Sequence, residues 1–126
     1  MDNKKKKIQC FADLYAWQEA HKLVLTIYKI TKKFPKEESY GLITQLRKAA
    51  VSITSNIAEG FTRKSYKEKI QFYFMANSSN VEVQNQLIIS KDVKYISNDD
   101  FEKTYKQTII VHKLLNGLIK KSKIHS

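Results

Sequence analysis

Gln45, Ala49, Ser52, Asn56, Glu59 and Arg63 recur at separations of four, three, four, three and four. On an α-helix that spacing returns each side chain to the same face. One ridge therefore carries an acid, a base, two amides and a hydroxyl, the parts from which a binding or catalytic site is assembled. The same arrangement also has a purely architectural reading. Glu59 and Arg63, four residues apart, neutralise one another, and Asn56 fixes register as buried polar groups do in helical bundles. Both readings place the ridge at the edge of a core or at a contact with another chain.

The remaining chemistry-bearing residues exclude more than they suggest. A di-metal bundle site needs Glu-x-x-His pairs on two helices, and none of His21, His112 and His125 has a carboxylate three positions earlier. Glu19 lies two residues before His21, on a different helical face, so His21 and His112 read as partly buried packing residues, and no metal or other cofactor is expected. No Ser, His and Asp grouping is visible. Cys10 is the single cysteine, which excludes an internal disulfide and a multi-cysteine zinc site. Gly41, Gly60 and Gly117 are too far apart for a phosphate-binding loop or a dinucleotide fingerprint. The expectation is a protein that is not an enzyme.

These residues must be carried by helices. The chain of 126 residues has three Gly and one Pro, too few breakers for a turn-rich β fold and too much apolar content for disorder. Leu14, Trp17, Val24 and Tyr28, with His21 in phase, mark a first helix over 13–34, stopped by Phe34-Pro35. Leu42, Leu46, Ala50, Ile53 and Ile57 mark a second, ending near Gly60. Ser65-x-x-Glu68 has the form of a capping box and opens a third that runs to about Ile96. Its apolar residues, among them Phe74, Met75, Val81, Ile88 and Val93, cover more than one face, as a surface shared between subunits would. Ser97 to Asp100 supply a cap and first-turn acids for a fourth helix through Phe101, Tyr105, Ile109, Leu115 and Ile119. The economical assembly is all-α, an antiparallel up-down four-helix bundle over 11–121. Residues 1–10 form a flexible basic tail and 122–126 a flexible end. With neither a secretory leader nor about 18 consecutive apolar residues, the expected location is cytoplasmic, away from any membrane.

Lys and Arg number 23 against 12 Asp and Glu, a formal net charge of +11. Part of such an excess is a solubilising surface, and it is equally the footprint of a nucleic-acid binder. Under the second reading the phosphate contacts are Lys4, Lys5, Lys6, Lys7, Arg47, Lys48, Arg63, Lys64, Lys67, Lys120, Lys121 and Lys123, which position without specifying. Under the first, the molecule is a structural or adaptor bundle that docks a protein partner through its third helix and whose charge is incidental.

Phe11-x-Asp13-Leu14-x-x-Trp17-x-x-Ala20-His21-x-Leu23, Phe34-Pro35-x-x-Glu38-x-Tyr40-Gly41-Leu42 and Gln45 to Gly60 with its Ser55-Asn56-Ile57-Ala58-Glu59-Gly60 core closely resemble the four-helix-bundle proteins encoded by intervening sequences of bacterial large-subunit ribosomal RNA genes. The resemblance covers residues 11–96. It departs at Lys48, where a second Arg is usual, and at Ser78-Ser79, where a Gly-Ser pair is usual, with Glu82 at its expected place. The resemblance implies a ring-like homopentamer with a basic surface suited to RNA or DNA. The polar cluster it carries is Gln45, Ser52, Asn56, Glu59, Arg63 and Glu82. A related family, the accessory variability protein of diversity-generating retroelements, implies a reverse transcriptase as a further partner where one is encoded nearby.

Overall fold

The computed structural model describes residues 7–126, so Lys4, Lys5 and Lys6 lie outside the described residues. Four helices account for most of it: α1 (Tyr15–Thr31), α2 (Leu42–Thr62), α3 (Tyr66–Asp92) and α4 (Asn98–His125). Short 3-10 turns at Phe11–Asp13 and Lys36–Glu38 precede α1 and α2. Each helix packs on its neighbours in sequence, and α4 closes back on α1. Directions follow from the pairings. Ser52 meets Ser79 while Gly60 meets Tyr73, and Asn80 meets Thr108 while Asn77 meets Asn116. Rising numbers on one helix meet falling numbers on the next, the signature of antiparallel packing in an up-down bundle.

The α2 stripe is buried as its spacing requires, with Leu46, Ala50, Ile53 and Ile57 fully enclosed. In α1 the buried positions are Ala16, Ala20, Leu23, Ile27 and Ile30, one position before the expected stripe. Trp17 and Val24 flank the core, and Tyr28 is exposed. The small Ala16 and Ala20 let the first turns of α1 approach closely, and the larger side chains then close its edges. In α4 Ile109 turns outward while Thr104 and Thr108 are buried. Those hydroxyls bond to their own helix, at Asp100 O (2.7 Å) and Tyr105 O (2.5 Å), which removes the cost of burying them.

The helix ends differ from the periodic reading in three places. Helix α1 stops at Thr31, three residues before Phe34, and the chain turns through Lys33 N to Ile30 O and Phe34 N to Thr31 O bonds. Helix α3 stops at Asp92, because Lys94 takes a left-handed φ of 67°. Tyr95 N then donates to Ser90 O and Lys94 N to Lys91 O, the paired bonds of a Schellman termination with lysine in the place usually held by glycine. Helix α4 runs through His125, so the end expected to be unanchored from Ser122 is its last turn. Ser122 is buried and His125 lies against the Tyr66 ring at 5.5 Å. The expected caps are present, with Glu68 N bonded to Ser65 Oγ and Asp100 N to Ser97 Oγ, each at 3.1 Å.

One residue ties the loop end together. Glu38 accepts from Leu42 N at the start of α2 (3.2 Å) and from the Tyr95 hydroxyl (3.0 Å), joining the α1–α2 and α3–α4 links. The hydrogen bond to Glu38 holds the Tyr95 hydroxyl above its ordinary pKa.

Two substitutions test these contacts. A Cβ on Gly60 would fall 2.8 Å from Tyr73 Cε1 and 3.0 Å from Phe72 Cβ. Gly60→Ala is therefore expected to lower stability by about 1–3 kcal/mol in urea unfolding. Lys94→Gly relieves the left-handed conformation and is expected to raise stability by about 1 kcal/mol in the same measurement.

Candidate functional site

The ridge of α2 lies along its seam with α3. Ser52 Oγ and Ser79 Oγ are 2.8 Å apart, and Asn56 Nδ2 donates to Ser52 O (2.9 Å) and Ser52 Oγ (3.1 Å). Farther along, Arg63 Nη2 bonds Glu59 Oε2 at 2.9 Å while the guanidinium lies 4.5 Å from the centre of the Phe72 ring. Arg63 Nε is enclosed without an acceptor, a cost of lying flat on that ring. Gln45 and Glu82 sit apart from these bonds, on the rim of a groove of about 360 Å³ shared with Lys48, Ser52, Ser79 and Gln86. The ridge is thus a string of local pairs rather than one constellation. It gives no nucleophile a base to activate it, and its arginine is occupied by Glu59 and Phe72. Among the described residues no group of three or more His, Cys, Asp or Glu side chains could hold a metal ion.

The histidines divide. His21 is half-buried and stacked on Trp17, with ring centroids 4.7 Å apart and planes 9° from parallel. His112, expected to be partly buried, is exposed on α4 and joined to Asn77 (3.2 Å) and Asn116 (3.1 Å) in a hydrogen-bonded ring completed by Asn77 Nδ2 to Asn116 Oδ1. His112 follows Val111 in sequence but is rotated from it by about 100° around the helix, away from the buried side.

The candidate phosphate contacts separate into two groups. Up-down packing brings the start of α1, the α2–α3 link and the end of α4 to the same end of the bundle. Lys7, Arg63, Lys64, Lys67, Lys120, Lys121 and Lys123 all belong to that end. A cleft of about 270 Å³ opens there, with Leu14, Phe61, Tyr73 and Leu118 among its apolar walls and Lys121 and His125 among its polar ones. Lys7, Lys64, Lys67, Lys120 and Lys121 are exposed, and the Lys123 ammonium lies 5.7 Å from the Phe74 ring centre. Sequence spacing did not single out Lys69, whose ammonium binds Phe61 O (2.6 Å) and Gly60 O (3.4 Å) at the end of α2. Burial lowers its pKa, and the contact satisfies carbonyls that the helix end leaves free. An i to i+8 contact across a helix break has no periodic signal.

Arg47 and Lys48 lie toward the other end. Arg47 Nε donates to Thr31 Oγ1 (2.9 Å) and its guanidinium lies over the Tyr28 ring at 4.6 Å, so it fastens α2 to α1. Lys48 is exposed beside the α2–α3 groove. The acids Glu37, Glu38, Asp92, Asp99, Asp100 and Glu102 occur in the α1–α2 link, at the end of α3 and in the first two turns of α4, at the end opposite the basic one.

Among known proteins, the family model described as 23S rRNA-intervening sequence protein matches residues 12–117. No curated protein matches the chain significantly. A crystal structure of a protein of unknown function from the S23 ribosomal protein family of Bacteroides thetaiotaomicron VPI-5482 superposes with a TM-score of 0.77 at 21% identity, covering 83% of this chain and 95% of that one. At that identity the likeness speaks for the fold.

The placement of Arg47 separates support from binding. Arg47→Gln removes a ring contact and a hydrogen bond and is expected to cost about 1–2 kcal/mol of stability. Lys48→Gln should cost less than about 0.5 kcal/mol. Parallel urea titrations of the two variants compare them.

Proposed function

The chain belongs to the 23S rRNA-intervening sequence protein family, and we propose that it acts as a non-enzymatic, homo-oligomeric nucleic-acid-binding accessory protein that holds RNA or DNA by its phosphates. The observation that carries this reading is the convergence of three chain segments on one basic end. Lys64, Lys67, Lys120 and Lys121 stand exposed there, while the acids of the links lie at the opposite end. Such an uneven distribution steers a polyanion toward one end of the bundle, which a uniformly solubilising charge does not do.

The homo-oligomeric part rests on α3. Phe74, Val81 and Ile88 recur every seven residues and are 49%, 56% and 39% exposed, with Met75, Ile89 and Val93 beside them. A stripe of this kind on the outside of a bundle marks a protein–protein contact. We assign it to contact between copies of this chain, five in number as the resemblance implies. The same stripe also suits a second reading, an adaptor that docks a different protein through α3.

Light scattering after size-exclusion chromatography, with absorbance followed at 260 and 280 nm, tests the proposal. The expected mass is about five times 14.7 kDa, with co-purifying nucleic acid at low salt. V81D/I88D is expected to give a folded monomer by circular dichroism and scattering. RNA affinity should fall steeply as salt rises, by about 10³-fold or more between 50 and 200 mM if six or more phosphates are held. A monomeric wild type without nucleic acid, or affinity independent of salt, contradicts the proposal. An RNA-free wild type that co-purifies with a different protein lost in V81D/I88D supports the adaptor.

A further inference from the structure

Between α1 and α4 runs a groove of about 620 Å³ whose lining includes Lys22, Lys29, Lys33 and Lys103. None of these four belongs to the contacts that spacing suggests. Lys22 and Lys29, seven residues apart, share the face of α1 toward α4, and Lys33 joins the lining from the turn after the helix. Lys103 supplies the opposite wall. A single acid, Asp100, completes the charged lining. Among the described residues Lys22 is the one groove lysine in an ion pair, with Glu19 at 2.7 Å. Glu19 is itself engaged by Gln107, whose Nε2 lies 2.8 Å from its carbonyl and 3.2 Å from its carboxylate. The Lys22 and Gln107 contacts together lower its pKa.

Four ammonium groups on one groove, offset by Asp100 and by Glu19 on Lys22 alone, repel one another, and a bound polyanion reverses that repulsion. Lys22 and Lys29 lie about 10.5 Å apart along α1 at helical rise, and Lys33 in the turn beyond extends the run. That span exceeds a single inorganic phosphate and suits a run of consecutive phosphodiesters, each carrying one negative charge. Aromatic rings are missing from the lining, which fits backbone holding rather than base stacking.

We propose that the α1–α4 groove is a second nucleic-acid contact, a track for a run of phosphodiesters along the side of the bundle. It rests on the nucleic-acid-binding reading and adds a site remote from the basic end. Because the groove runs along the side of the bundle while Lys64, Lys67, Lys120 and Lys121 stand at its end, one strand can engage both.

The test measures binding of the full-length protein to a fluorescein-labelled 20-nucleotide single-stranded RNA by anisotropy over a salt series. Three four-lysine variants carry the same loss of charge: K22Q/K29Q/K33Q/K103Q in the groove, K64Q/K67Q/K120Q/K121Q at the basic end, and K36Q/K94Q/K106Q/K113Q elsewhere. All twelve residues are exposed, and circular dichroism confirms folding. The groove variant is expected to bind about tenfold or more weaker at 100 mM salt. Its salt slope should be shallower by about 3, from roughly 0.7 per phosphate over four contacts. The third variant should change affinity by less than the groove variant and leave the slope near the wild-type value. Groove and third variants that behave alike overturn the track and leave the binding reading intact. A groove variant with an unchanged slope does the same. Wild-type protein that fails to bind the RNA at 50 mM salt overturns both.

Discussion

Everything polar on the α2 face depends on how closely α2 and α3 approach. At Gly60 the α2 backbone lies directly on Tyr73 and Phe72, and no methyl group fits between them. Two turns away Ser52 and Ser79 meet hydroxyl to hydroxyl. These small residues bring the seam close enough for short polar side chains to bridge it, and Phe72 becomes the platform on which Arg63 lies. A wider seam would expose Ser52 and Asn56 to water and leave Arg63 as an ordinary surface cation. The row of polar residues on α2 is, on this geometry, the polar lining of a tight helix pair.

The same economy governs the rest of the core. Buried hydroxyls of Thr31, Ser90 and Thr104 bond carbonyls of their own helices four residues earlier. Ser90 and Thr104 act as small space-fillers, while the Thr31 hydroxyl also accepts from Arg47 on α2. Glu38 does the reverse, since its two oxygens join the start of α2 to the Tyr95 hydroxyl across the links. Charge is left to the surface, where two ion pairs occur among the described residues. A bundle built in this way is free to distribute its cations for another purpose.

The bounds of α2, the two serine caps and the outward apolar surplus of α3 were legible from residue spacing, because each depends on contacts within one helix. The phase of α1 was not, since Trp17 and Val24 look like core residues and stand at its edges, while the buried positions are filled by Ala16 and Ala20. The stop at Asp92 was invisible because Lys94 occupies a conformation that favours glycine. Helical spacing put the polar residues on one side of α2, but that Arg63 falls just past the helix end, and whether the ridge joined into a single site, depended on the α2–α3 packing. The lysine groove needed two helices brought side by side, and Lys103 lies 70 residues from Lys33.

Asn80 is 1% exposed in the middle of α3, and its Nδ2 reaches the backbone oxygen of Thr108 at 2.9 Å. A buried asparagine of this kind selects one sliding position of two helices over its neighbours. The acceptor is main chain, so the alignment of α3 with α4 does not depend on which side chain α4 carries there. Substitutions on the outer surface of α4 can therefore change its charge while a single amide keeps the two helices aligned.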